Sequence, residues 1–226
     1  MHSNLIQEID GLIQGKSLLK TEFYLRWQAG TLPLEALRTY AGQYLHFEAA
    51  FPTFLSAIHS QCEDRETRQD ILQNLWDEEY GDHNHRAMWL QFCEGIGLPS
   101  EDAQATIAIT TTNHLVETMK SLANSSVTEG LAALYAYESQ LPAVAEHKTA
   151  GLREFYGVTD EATVEFFTLH ADLDKKHSSR EAESIARLTL DTNEQQRVKE
   201  AVSQALDAWW AFLDGIAIPE EPKQAV

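Results

Sequence analysis

The chain has 226 residues, 43% of them hydrophobic, and a formal net charge of -18 at pH 7. That length and apolar content fit one well-buried globular domain and exclude a disordered chain, and the acidity argues against nucleic acid or an anionic membrane as partner. No apolar run reaches the ~20 residues of a membrane span, and the opening MHSNLIQEIDGLIQ has acids where a targeting signal would be basic, so a cytoplasmic protein is expected.

The periodicity is helical almost throughout, with no alternating β-branched runs and no Asn-Gly hairpin signal. Thr31-Leu32-Pro33 opens a long helix through Leu34, Leu37, Tyr40, Tyr44 and Phe47, and Pro52 inside it predicts a kink. Residues 64–80 form the next helix. Gly81-Asp82 distorts it ahead of His85, Trp89 and Phe92, and Gly95-Ile96-Gly97 with Pro99 ends it. The stretch 101–122 predicts one amphipathic helix. After a short connection at 124–126, residues 127–146 predict another, with Pro142 as a local break. Lys148 to Leu152 leads into a short helix and a turn at Gly157. Thr159 is a candidate cap for the helix that carries His170. The last helix starts near Thr192 and runs past Leu213, with 216–226 as a frayed tail. The pattern predicts a single all-α domain, 1–226, of about seven to nine helices. Cys62 and Cys93 share no spacing motif and read as buried structural thiols of a reducing compartment.

Metal-ligand side chains recur at helical spacing in three segments: Glu78 with His85, then Glu138, then His170-x3-Asp174-x2-His177. On an ideal helix of ~100° per residue the last three fall within about 60° of one another, so one helix face offers two nitrogens and an oxygen. Phe166 and Phe167 begin that side and turn it inward. Glu138 lies between Leu134 and Leu141, where an unpaired carboxylate would need a metal, a cation or hydrogen-bond donors. On a straight helix Glu78 and His85 nearly align but stand ~10.5 Å apart, which could bracket two ions ~3.5–4 Å apart. Asp82 competes with Glu78, because Asp82-x-x-His85 repeats the spacing of Asp174-x-x-His177; spacing alone favours Glu78.

Any one of these residues alone reads as a solvated or hydrogen-bonded side chain. Together, three carboxylates and three imidazoles suit two first-row transition ions better than one, and mixed N/O ligation suits iron and manganese. A haem site is disfavoured: no His lies between positions 3 and 45, and no GxxxG run faces the candidates. A ferritin-like store would show two Glu-x-x-His motifs, and neither occurs.

The segments DEEYGDHNHRAMW and YESQLPAVAEHKTAGL, with His170-x3-Asp174-x2-His177, resemble the haem-oxygenase-like dimetal oxidases, and within them the family of the chlamydial protein associating with death domains. The resemblance runs from about position 17 to 215. It implies a haem-oxygenase-like (TenA/PqqC-like) bundle of about seven helices without haem. It implies a dinuclear centre (Fe/Fe or Fe/Mn) on Glu78, His85, Glu138, His170, Asp174 and His177, with O2 and an external reductant as co-substrates. The implied activity is oxygen-dependent synthesis of para-aminobenzoate for folate. The ring would come from a tyrosine of the chain itself, Tyr24 in EFYLRW or else Tyr40, and the nitrogen from Lys148 in HKTAGL. Without the resemblance, Tyr24 would be a core aromatic beside Phe23 and Trp27, and Lys148 a surface charge. Two other classes fit the same helices: a thiol-dependent hydrolase of the thiaminase/TenA type, which needs a cysteine facing a core Glu, and a non-catalytic interaction protein. Trp209-Trp210 suggests a spare apolar face for a homodimer.

Overall fold

The computed structural model describes residues 2–218, so the predicted tail beyond Ile218 lies outside the described residues. These form α1 (His2–Gly15), a 3-10 turn (Leu18–Lys20), α2 (Glu22–Gln28), α3 (Leu34–Gln61), α4 (Arg65–Glu79), α5 (His85–Gly95), α6 (Ser100–Ala105), α7 (Thr110–Ala123), α8 (Val127–Glu138), α9 (Leu141–Phe155), α10 (Glu161–Leu188) and α11 (Thr192–Asp214). No strand occurs among the described residues. The buried apolar side chains make one continuous cluster. At its centre α10 packs on α4, α5, α8 and α9, while α3 packs on α4, α5, α7 and α8.

The fold class is as expected, but the eleven α-helices exceed the predicted number, because α1 and α2 form in residues 2–28, where the pattern predicts no element, and one predicted helix is interrupted. The stretch 101–122 is two helices, α6 and α7. The buried side chain of Gln43 on α3 supports the gap: it donates to the Ile107 carbonyl (2.9 Å) and accepts from the Ile109 amide (3.0 Å) and the Thr112 hydroxyl (2.6 Å). Backbone groups released from a helix there still find partners. The predicted helix over 127–146 ends at Glu138, and Pro142 lies in the first turn of α9 rather than inside a helix. A missing N–H costs nothing at that position. The cap of α10 is Asp160 rather than Thr159: its carboxylate accepts from the amide (3.0 Å) and hydroxyl (2.9 Å) of Thr163. The long α3 does begin after Pro33, and it continues through Pro52 to Gln61.

Candidate metal centre

Glu78 and His85 are brought together by an interruption between α4 and α5, which a straight helix would not allow. After Glu79 the chain turns through Gly81, whose φ of +83° is a left-handed conformation open to glycine. Asn84 then caps α5 by accepting from the Ala87 amide at 3.0 Å. His85 Nδ1 ends 2.6 Å from Glu78 Oε2. The two atoms are not aligned as a hydrogen bond, and Nδ1 has no other partner. His170, on α10, places its ring centroid 4.4 Å from that of His85. Its Nδ1–H donates to the Phe166 carbonyl at 2.6 Å, which fixes the tautomer and leaves Nε2 with a free lone pair. Glu78, His85 and His170 offer three atoms within 4.8 Å of one another. Asp82 is exposed in the turn, so the alternative pairing of Asp82 with His85 does not form.

Glu138, Asp174 and His177 form a second group of three, also within 4.8 Å. His177 donates from Nε2 to Asp77 Oδ2 at 3.2 Å and turns Nδ1 toward Glu138 Oε2, 3.9 Å away. The Asn74 amide donates to both Glu138 oxygens, at 3.2 and 3.4 Å. Asp174 Oδ2 is buried without a partner. All six residues are buried, so both groups lie away from water.

Electrostatics say what these groups lack. Burial, then the Asp77 charge, pushes the Glu78 carboxyl up to about 8. Burial and neighbouring acids also raise Glu138 and Asp174. Burial lowers His85, His170 and His177, which keeps them neutral as metal ligands must be. Crowded acids beside neutral imidazoles are costly alone and favourable around cations. The orphaned His85 Nδ1 and Asp174 Oδ2 fit the same conclusion: the donor set suits a pair of metal ions.

Two supporting residues were not singled out in the sequence. Asp77, on α4, partners His177, a hundred positions later in the chain. Glu48, on α3, is buried and raised to about 8 by desolvation and then by Glu78. Its only sequence signal is a place among Tyr44, Phe47 and Phe51 on one apolar helix. A cavity of about 10 Å³, room for roughly one water, lies between the two groups and is lined by Tyr44, Glu48, Tyr137, Glu138, His170 and Asp174. Glu181, one turn beyond His177, is a further buried acid, raised by desolvation and by Glu138 and Asp174.

Behind that cavity stands a cluster of phenols. Tyr44 and Tyr137 share a 2.5 Å hydrogen bond between hydroxyls. The Tyr44 ring lies 5.7 Å from Tyr40, whose hydroxyl accepts a 2.7 Å hydrogen bond from Lys148 Nζ. Lys148 is not a surface charge: it is 4% exposed, and its Nζ is 5.6 Å from the Tyr24 ring and 5.0 Å from the Tyr40 ring. Burial lowers its ammonium to about 7, against a smaller opposing pull from Glu48. Gly151 makes this approach possible, since a Cβ there would come within 2.6 Å of the Trp27 ring and push α9 from α2. Tyr24, Tyr40 and Lys148 therefore meet, with Tyr24 packed on Phe23 and Trp27 as expected. Tyr24 does not line the metal-side cavity; Tyr44 and Tyr137 do.

The cysteines are free and buried, as expected, and neither lines that cavity. Burial pushes Cys93 up to about 12, unsuited to a nucleophile. Of the Trp209-Trp210 pair, Trp209 is 2% exposed and stacks on Tyr137 at 4.3 Å, while Trp210 is half-buried with its indole N–H donating to the Lys16 carbonyl at 2.8 Å. No helix among the described residues is long and apolar enough to cross a membrane.

A family model described as iron-containing redox enzyme matches residues 38–210, and the chain belongs to that family. It is 38% identical over 217 residues to a 4-aminobenzoate synthase of Chlamydia muridarum, covering 96% of this chain and 91% of that one. It is 39% identical over 220 residues to a 4-aminobenzoate synthase of Nitrosomonas europaea, covering 93% and 89%. Among solved structures, a TenA homologue from Pseudomonas syringae pv. tomato superposes with a TM-score of 0.80 at 17% identity, over 94% of this chain and 90% of that one. The likeness places this chain in the TenA/haem-oxygenase-like fold.

Proposed function

We propose that this member of the iron-containing redox enzyme family is a 4-aminobenzoate (para-aminobenzoate) synthase of folate biosynthesis, using dioxygen, an external reductant and two metal ions, and taking the ring from its own Tyr24. Its curated relatives carry the name of that activity. One observation carries the chain-specific part: a buried amine, lowered to about 7, lies against the rings of Tyr24 and Tyr40. A lysine kept for packing or charge would not be held there at such cost.

Iron, with iron or manganese, held by Glu78, His85 and His170 and by Glu138, Asp174 and His177, would supply the activation of dioxygen. The rest falls to side chains. Tyr44 and Tyr137 stand between the ligands and Tyr40 and can pass a hydrogen atom, proton with electron, through their shared hydrogen bond. Tyr40 orients Lys148 through its hydroxyl, and its ring and that of Tyr24 both pack on Phe23. An amine near 7 is substantially neutral at neutral pH, so its lone pair can attack an oxidised ring. On this reading the phenol C–O bond is exchanged for C–N, with the phenol oxygen lost as water. Nζ leaves the lysine Cε, which ends as an aldehyde; the tyrosine Cα–Cβ bond breaks, leaving a glycine residue, and Cβ becomes the carboxylate. The change removes six electrons, and two molecules of dioxygen with two electrons from the reductant balance it as water.

The test is isotopic. Protein grown with ring-labelled tyrosine, purified, loaded with metal and given unlabelled small molecules should release labelled product, at most about one per chain, with mass changes on the peptides carrying Tyr24 and Lys148. Unlabelled product, or many turnovers per chain, refutes the self-sacrificing reading.

A further inference from the structure

Among the described residues, Glu181 is the one acid near the centre with both carboxylate oxygens buried and unpartnered. It is 6% exposed, and neither carboxylate oxygen has a hydrogen bond, whereas Glu138 has Asn74. An unpaired carboxylate so placed is costly, and its retention calls for a cation. Glu181 also continues the ligand row. On α10, positions 170, 174, 177 and 181 all lie within about 60° around the helix axis. It shares a cavity of about 20 Å³, lined also by His177, Asn74, Ile71, Leu131 and Leu134, on the far side of His177 from the phenols.

The charge balance points the same way. Glu78, Glu138 and Asp174 supply three negative charges to two divalent ions, and a fourth makes the centre neutral in a medium that penalises net charge. Glu48 is not the better candidate, because neither of its oxygens is a buried atom left without a partner, whereas both of those of Glu181 are. The Glu181 oxygens are not among the three atoms that cluster with Glu138 and His177. Its three rotatable bonds and the adjacent cavity give the carboxylate room to swing in.

We propose that Glu181 is a seventh protein ligand, closing on the ion held by Glu138, Asp174 and His177. The two ions then differ in kind. One has a single carboxylate and two imidazoles, the other three carboxylates and one imidazole, so the second site is the harder and more anionic. This rests on the dinuclear reading above.

Metal-free protein is titrated anaerobically with Mn(II), free ion being followed by electron paramagnetic resonance and bound ion by elemental analysis after gel filtration. The wild type should take up two ions per chain. Glu181→Gln, nearly isosteric, should keep one ion at wild-type affinity and bind the other about 10–100-fold more weakly. Glu181→Asp, which keeps the charge but withdraws it by one methylene, should fall between. If Glu181 only fills space, both ions bind the Gln variant as they bind the wild type, and the proposal is overturned. Fewer than two ions in the wild type would overturn the dinuclear reading itself. Should the Gln variant fail to fold, an Asp variant binding both ions at full strength also counts against the proposal.

Discussion

Replacing Lys148 with methionine should stabilise the metal-free protein, by an amount that depends on pH in a calculable way. Methionine matches the length of the lysine stem and needs no solvation. An ordinary lysine titrates at 10.5, and this one at about 7. At ~1.36 kcal/mol per pH unit, the native state forgoes about 5 kcal/mol of protonation free energy at neutral pH. Losing the 2.7 Å hydrogen bond to Tyr40 gives back about 1 kcal/mol, so a net gain of about 3–4 kcal/mol is expected at pH 7. The sign follows from proton counting. Between about 7 and 10.5 the unfolded chain binds this proton and the native chain does not, so wild-type stability rises with pH across that window. The advantage of Lys148→Met is full below 7 and fades toward 10.5; by pH 9.5 it should have shrunk by about 3 kcal/mol. Urea denaturation of both proteins in chelator, at half-unit pH steps from 6 to 9.5, measures the difference directly. Two stability curves that stay parallel over this range would show that the lysine is not held neutral, and the amine-donor argument would fail with it.

Other outcomes follow from the centre and its supports. His177→Ala should lose most of one metal equivalent, and Asp77→Asn, which weakens the hold on His177 Nε2, should lower that ion's affinity about 10–100-fold, read by elemental analysis after dialysis against graded chelator. Tyr24→Phe and Lys148→Arg should each abolish product while leaving metal content unchanged, since neither side chain lines the metal-side cavity; loss of metal in either would contradict that placement. Metal-free protein should lose stability as pH rises from about 4.5 to 8, because native Glu78 keeps its proton to about 8 and unfolded Glu78 does not. Metal should flatten that slope and slow amide exchange around Gly81 and along α10; equal exchange with and without metal would count against the coupling. Gly151→Ala should cost about 1–3 kcal/mol of stability by driving a methyl into Trp27, seen as a lowered Tm, and should depress product yield by displacing Lys148.

What the sequence reveals here is what repeats along a helix. His170, Asp174 and His177 were legible because α10 is long and regular, and Glu138 because its apolar flanks turn it inward. The approach of Glu78 to His85 was legible only as a coincidence of residue types. The contact itself depends on a turn at Gly81 that no periodicity describes. Asp77, Asn74 and Glu48 stayed hidden because each acts on a residue from a different helix, and a single helix seen alone shows them as ordinary polar positions. The break at 106–109 was missed for a related reason, since the groups that stabilise it come from Gln43, more than sixty residues earlier. The depth of Lys148 was equally invisible: nothing in HKTAGL says that α9 will settle against α2.

On the proposed self-sacrificing reaction, the packing of Tyr24 bears on the fate of a chain that has given up its ring. The ring is 3% exposed and wedged against Phe23 and Trp27 in a helix of only seven residues. A chain that surrendered it would be left with a vacancy where a large aromatic side chain stood, and losses of that size cost about 3–5 kcal/mol. Against a typical total of about 5–15 kcal/mol, that is enough to make the spent protein recognisably weaker than the fresh one. Cellular proteases sort chains by how often they open. The same burial that shields the chemistry from water would thus mark each used copy for disposal, and supply of the product would be set by the rate of translation.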